Sequence, residues 1–215
     1  MDDADAIEIR VLGCLIEKQR TTPDAYPLSL NALKLACNQA TNREPVVDYD
    51  EPTLRSALER LSRKGWTRLA SGAGSRAAKY RHLFGEVVGV SPPELSVLAV
   101  LMLRGPQTPG ELKQRAERLH PFVSLAEVEG VLAGLIDREL VARLARRPGQ
   151  KEERYQQLLG NDESITESAE PSAGASGDDR IRAIEERVDA LESELASLRG
   201  KLAARQPQER GQASA

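Results

Sequence analysis

Val11-Leu12-Gly13-Cys14-Leu15 and Val97-Leu98-Ala99-Val100-Leu101 are one stretch written twice, and the echo continues downstream of each. Thr22-Pro23 follows the first stretch at the distance at which Thr108-Pro109 follows the second. Leu54, Leu58 and Leu61 correspond to Val128, Leu132 and Leu135. Arg68-Leu69, Gly74, Lys79-Tyr80 and Leu83 correspond to Arg143-Leu144, Gly149, Arg154-Tyr155 and Leu158. The copies stay in register except for about a dozen residues between Ala25 and Tyr49, present only in the first. Each unit of about 75 residues is the size of a minimal three-helix domain, and a pair can bury a shared face. Two copies with no catalytic group in common point to a binding scaffold and away from an enzyme.

In the first copy Ile7, Val11, Cys14 and Leu15 form one stripe of a helix ending near Gln19. Pro23 and Pro27 keep Arg20 to Leu28 from being helical throughout. Ser29 caps a second helix with Leu30, Leu33 and Cys37 facing the core. Asp50 caps a third, with Pro52 in its first turn, a stripe of Leu54, Ala57, Leu58 and Leu61, and Gly65 at its end. Trp66 to Leu69 and Ala78 to Leu83 then flank the turn Gly72-Ala73-Gly74 as a β-hairpin. Three helices and a hairpin, in that order, make a winged helix-turn-helix, whose third helix and wing are the elements placed on DNA.

The second copy opens at Ser91-Pro92-Pro93-Glu94 and runs as helix to Arg104; Thr108-Pro109-Gly110-Glu111 and Ser124-Leu125-Ala126-Glu127 read as capping boxes for the next two helices. Its hairpin spans Val141 to Leu144 and Glu153 to Leu158, turning at Pro148-Gly149. Its third helix shows solvent Glu129, Gly130, Ala133, Gly134 and Asp137, where the first copy shows Arg55, Ser56, Glu59, Arg60 and Arg63. Carboxylates repel phosphate, so this helix is a poor DNA reader. Its Gly/Ala face suits close packing by another helix, since each helical glycine costs roughly 1 kcal/mol against alanine. Leu95 and Val97 to Leu103 are apolar on every side, so their helix is expected to meet the other copy or a second subunit as well as its own core.

Aromatics make up only 3% of the 215 residues, so the core must come from Leu, Val, Ile and Ala, which favours packed helices. The net charge of −3 conceals an asymmetry: residues 1–160 carry 23 Lys+Arg against 21 Asp+Glu, residues 161–215 carry 7 against 12. The start Met1-Asp2-Asp3-Ala4-Asp5 lacks the basic and apolar regions of a secretory signal, and the longest apolar run, Val97 to Leu103, is too short for a bilayer. A cytoplasmic chain without membrane contact is expected. Two cysteines make no disulfide framework; Cys14 and Cys37 fall on core stripes as small hydrophobes, with a redox pair as the alternative. His82 and His120 lack neighbours at metal-ligand spacing, and Gly72-Ala73-Gly74 lacks the Lys-Ser/Thr of a P-loop, so no metal or cofactor is expected.

Beyond Gly160 the composition is that of a linker, Ser-, Glu-, Ala- and Gly-rich, to Asp179. Ile181, Ile184, Val188, Leu191, Leu195, Leu198 and Leu202 then recur at spacings of three and four as an a/d seam. Arg187 with Glu192 and Glu194 with Arg199 would pair across a parallel dimer. An amphipathic helix folding back on its own body is the alternative.

From Lys34 to Arg81 there are ten basic residues against five acidic ones. Arg55, Arg60, Arg63 and Lys64 come from the third helix; Arg68, Arg76, Lys79 and Arg81 come from the wing. Grouping on helix and wing is what phosphate contact requires, although solvated surface charge gives a similar count. The polar run Asn38 to Pro45 either ties down its own backbone or forms a recognition loop with Asn42 and Arg43 as contacts.

Glu8 to Gln19, Thr21 to Asn31, Ala36 to Val46 and Leu103-Arg104-Gly105-Pro106-Gln107-Thr108-Pro109-Gly110-Glu111-Leu112 resemble the YceH family of bacterial proteins over roughly residues 5–160. The resemblance implies a tandem winged-helix fold and brings no catalytic residues with it.

The expected chain is therefore mainly α (α+β). Winged-helix domains occupy 1–88 and 89–160, a linker 161–179, a coiled coil 180–206 and a tail 207–215. DNA binding through the first module, in regulation, is the expected function, with self-association as a homodimer through the coil or the second module. The rival is a protein-interaction scaffold without DNA contact, which Glu59 and the acidic second copy favour.

Overall fold

Asp5 starts the first helix by accepting the Glu8 N–H at 2.8 Å while the Glu8 carboxylate accepts the Asp5 N–H at 2.9 Å. In the computed structural model, which describes residues 4–70, 78–146 and 152–160, this helix, α1, runs Ala6–Thr21. A 3-10 turn at Pro23–Ala25 and the two-residue strand β1 (Leu28–Ser29) lead into α2 (Leu30–Cys37). Then come α3 (Glu51–Arg63), β2 (Thr67–Leu69) and β3 (Lys79–His82). Gly65, at φ 74°, makes the left-handed stop after α3 that a side chain would strain.

A short helix α4 (Phe84–Val88) joins the halves, and the order then repeats: α5 (Pro92–Arg104), α6 (Pro109–Ala116), α7 (Leu125–Asp137), β4 (Val141–Leu144) and β5 (Arg154–Gln157). Helices predominate, and both sheets are antiparallel: three strands in the order β1-β3-β2, and the β4-β5 pair. The second copy has only a bridge, Gln107 to Tyr155, where the first pairs Leu28 with Tyr80.

The two copies are held together through their first helices. α1 packs along α5, and Leu12, Leu15, Ile16, Leu98 and Leu101 lie fully buried in one continuous core. Each contributes about 2 kcal/mol of apolar burial. Gly13 permits the approach, because a Cβ there would stand 3.0 Å from Leu103 Cδ2 and 3.1 Å from Met102 Cβ. The all-round apolar character of α5 thus has its cause: both of its sides are inside.

The extra residues of the first copy form a clamp. Glu44 N–H donates to the Leu103 carbonyl at 2.8 Å, Arg104 donates to Asn42, and buried Arg10 donates to the carbonyls of Pro45 at 2.6 Å and Cys37 at 3.2 Å. Those residues fall in two places, before and after α2. Ser29, not Thr22, holds the N-cap position equivalent to Thr108, since each accepts the N–H three residues on. The hairpin correspondence shifts as well. Trp66 N–H reaches the Leu61 carbonyl and Leu140 N–H the Leu135 carbonyl, so Thr67 matches Val141 and Arg68 matches Ala142, not Arg143. In the last strand Leu83 and Leu158 donate to the carbonyls of Trp66 and Leu140, which keeps Lys79 matched to Arg154.

Ser124 accepts the Glu127 N–H at 3.1 Å, but Glu127 turns to the Val123 N–H at 2.8 Å, so the expected box there is half a box. The Gly/Ala face of α7 is open over most of its length: a Cβ on Gly130 would find nothing within 4 Å, and one on Gly134 only Glu94 Oε1 of α5 at 3.9 Å. The two hairpin turns with Arg76, the linker 161–179, the heptad seam 180–206 and the tail lie outside the described residues. No helix among the described residues is long and apolar enough to cross a membrane.

Candidate nucleic-acid interface

Amphipathic spacing fixes which side of α3 faces out. Leu54, Ala57, Leu58 and Leu61 are buried, leaving Arg55, Ser56, Glu59, Ser62 and Arg63 exposed. Arg55 is 3.7 Å from Glu51 in an exposed i,i+4 pair, which is weak. No ion pair joins Glu59 or Arg63 to any described residue.

Beside this face the hairpin presents a second group of cations. β3 alternates Lys79 and Arg81 on one side with Tyr80 and His82 on the other. Arg68 is the Cα partner of Arg81, and like charges directly opposite in a ladder destabilise it. Arg81 reaches only Glu86, at 3.5 Å, and both side chains are exposed. Arg68 and Lys79 have no carboxylate in ion-pair range among the described residues. This face accumulates positive charge that only the exposed Arg81–Glu86 pair offsets among the described residues.

His82 anchors the hairpin from behind. Its ring Nε2 lies 2.7 Å from Gln19 Oε1, and its backbone N–H donates to the Tyr26 hydroxyl at 2.8 Å. Burial, with Arg81 and Arg20 adding repulsion, pushes the imidazole down to about 4, so it is neutral at pH 7. Burial also pushes the Tyr26 phenol up to about 12.

Two of the helix residues expected at the interface are engaged elsewhere. Arg60 lies 2.6 Å from Asp5 and 3.7 Å from Glu8, and Lys64 lies 3.2 Å from Glu8, which is almost wholly buried. They tie the end of α3 to the start of α1, and Lys64 also sits over the Trp66 ring at 5.5 Å. Both therefore already have carboxylate partners within the chain. The Arg43 side chain has no exposed surface, holds Glu17 with bonds of 2.6 and 3.1 Å, and donates to the Ala36 carbonyl at 3.0 Å. Asn42, at φ 61°, accepts from Arg104. Asn38 bonds Asp48 and Tyr49, so the loop's polar density serves its own backbone and the contact between copies. Acids that arrive from a distant helix gave no signal in the sequence around Arg60 or Lys64.

Cys14 and Cys37 are buried free thiols; the Cys37 thiol is raised by its hydrogen bond to Cys14 and by burial. Among the described residues no cluster of His, Cys, Asp or Glu could hold a metal ion.

Compared with known proteins, residues 4–150 match the family model described as "Protein of unknown function, DUF480". The chain belongs to the DUF480 family. Relatives of this DUF480 member include a UPF0502 protein of Pelobacter propionicus, 53% identical and spanning 89% of this chain and 91% of its own. The UPF0502 protein of Klebsiella pneumoniae is 46% identical, covering 92% and 93%. That of Geobacter sulfurreducens is 49% identical, covering 89% and 88%. The resemblance to the YceH family is thereby borne out. A span of 89% of 215 residues cannot end at Gly160, so the likeness reaches past the point where the sequence motifs alone placed its limit.

Proposed function

We propose that each copy is a winged helix-turn-helix and that the first binds duplex DNA through α3 and the β2–β3 hairpin. One observation carries this reading: Arg68 opposes Arg81 in the ladder, with Lys79 on the same face, whereas the matching pair of the second copy is Ala142 and Gln156. At the place of Lys79 the second copy has Arg154, held 3.2 Å from Glu111 and donating to the Pro106 carbonyl at 2.7 Å, while its exposed Arg143 and Arg146 lie 3.2 and 3.6 Å from Glu153. A phosphate backbone supplies the countercharge that the first hairpin lacks, with α3 lying in the adjoining groove. If about four phosphates are neutralised, log K against log salt should have a slope of roughly −4. Fluorescence anisotropy of the full chain on mixed duplex fragments, from low to moderate salt, measures it. Absence of binding at low salt contradicts the reading.

A second reading, a protein-interaction scaffold, is supported by α7. Its outward face combines Gly130 and Ala133 with half-exposed Leu125 and Ile136, and it carries Glu129 and Asp137 in place of arginine. Together with the heptad seam from Ile181, this face is where self-association would occur. Loss of the dimer on removing residues 161–215, measured by light scattering, would assign it to the seam; a dimer that persists would assign it to α7.

A further inference from the structure

Glu59 is the residue of the α3 face that fits phosphate contact least. It sits at the middle of an exposed ridge, Arg55-Glu59-Arg63, at i, i+4 and i+8. Neither arginine is in ion-pair range of it: Arg55 leans toward Glu51 instead, and Arg63 has no acidic partner among the described residues. A carboxylate held between two arginines and bonded to neither is a free acceptor.

Resting on the DNA reading above, we infer that this ridge reads base edges, with Glu59 selecting cytosine and Arg55 and Arg63 selecting guanine on either side. In the major groove only the exocyclic amines of cytosine and adenine offer donors to a carboxylate, and Glu or Asp opposite cytosine N4 is the usual pairing. Arginine pairs with O6 and N7 of guanine through two bonds. Four residues of helix advance about 6 Å, and one base pair rises about 3.4 Å. The three side chains therefore address positions within about four base pairs, the span of one groove-inserted helix. The hairpin cations Arg68, Lys79 and Arg81 lie on a different element and are left for phosphates, so base reading and backbone contact are divided between helix and wing. The charge of Glu59, which argues against a purely electrostatic DNA surface, becomes the element of specificity. It penalises every site that offers no donor at that place.

The test is selection of duplexes from a randomised library by the full chain, repeated with Glu59→Gln. Wild type should enrich sites with a constant cytosine and guanine within about two base pairs to each side. Glu59→Gln should move the preference at the central position from cytosine to adenine, the partner of a glutamine amide, and lose about tenfold on the cytosine site. Glu59 is exposed, so an unchanged circular dichroism spectrum for the variant is expected and is checked alongside. Enrichment without a constant cytosine, or a variant that tightens on all sites equally, overturns the base reading while leaving DNA binding intact. Duplex retained without any sequence enrichment likewise overturns the base reading alone, and no duplex retained at low salt overturns both.

Discussion

The β2–β3 hairpin pairs Arg68 with Arg81 where β4–β5 pairs Ala142 with Gln156, and the difference extends one residue further. Lys79 has no acidic partner among the described residues, while its counterpart Arg154 is clamped by Glu111. Glu111 is the third residue of α6 and closes the capping box on Thr108. Ala32 stands at the same place in α2, under Ser29. One side chain thus both finishes a helix start and pairs with a hairpin cation in the second copy, and its absence leaves Lys79 of the first hairpin without that partner. Two copies of one fold have been separated by a few surface residues into a charged face and a face that is acidic, small and apolar.

The buried parts of the copies differ too, and substitutions should show where each depends on its own devices. Arg43 belongs to the segment present only in the first copy. Arg43→Ala would leave Glu17 without its bidentate partner and the Ala36 carbonyl without a donor, costing about 3 kcal/mol in urea unfolding. Arg146→Ala, breaking the exposed 3.6 Å pair with Glu153, should cost next to nothing. Equal costs would mean that the buried Arg43 bonds do not hold that segment against α1 and α2.

His82 is matched in the second copy by Gln157, which does not titrate. Its folded value of about 4 lies below the ordinary 6.5, so between those pH values the unfolded chain binds a proton that the folded chain does not. Stability therefore rises with pH across that window and is lost as pH falls through it, by about 3 kcal/mol. His82→Gln should remove this part of the slope, as read from urea midpoints at pH 7 and pH 4.5. An unchanged slope would place the acid sensitivity elsewhere.

Gly13 and Gly130 mark a crowded and an open helix surface. Gly13→Val must displace Leu103 and Met102 and should cost about 2 kcal/mol. Gly130→Ala enters empty space and should stabilise by up to about 1 kcal/mol through helix propensity. Destabilisation by Gly130→Ala, dependent on protein concentration, would show a second molecule covering that face.

The repeat, the helix starts at Ser29, Asp50, Ser91, Thr108 and Ser124, and the strands of the two hairpins were readable in the sequence because caps and apolar periods are local, whereas the two-residue β1 is too short for any period to show it. α4 was not read: Phe84-Gly85-Glu86-Val87-Val88 is five residues long, too short for a helical period, and carries a glycine. The charged face was readable as composition but not as a site. Arg60, Lys64 and Arg43 look like their neighbours in sequence, and only the approach of Asp5, Glu8 and Glu17 from α1 withdraws them. The one-residue shift that matches Arg68 to Ala142 was hidden by the coincidence of Arg68-Leu69 with Arg143-Leu144. Similar pairs of letters outweighed the hydrogen-bond register that the helix ends impose.

The central claim is that unneutralised charge on the first hairpin is what holds DNA, and giving that hairpin the second copy's residues tests it most directly. In Ala32→Glu/Arg68→Ala/Arg81→Gln, Lys79 gains the carboxylate that Arg154 has, and the opposed arginines are gone. The salt dependence of duplex binding should flatten by nearly three units, from a slope of roughly −4 to about −1, with the fold unchanged by circular dichroism. A variant that binds with the wild-type slope would contradict the account.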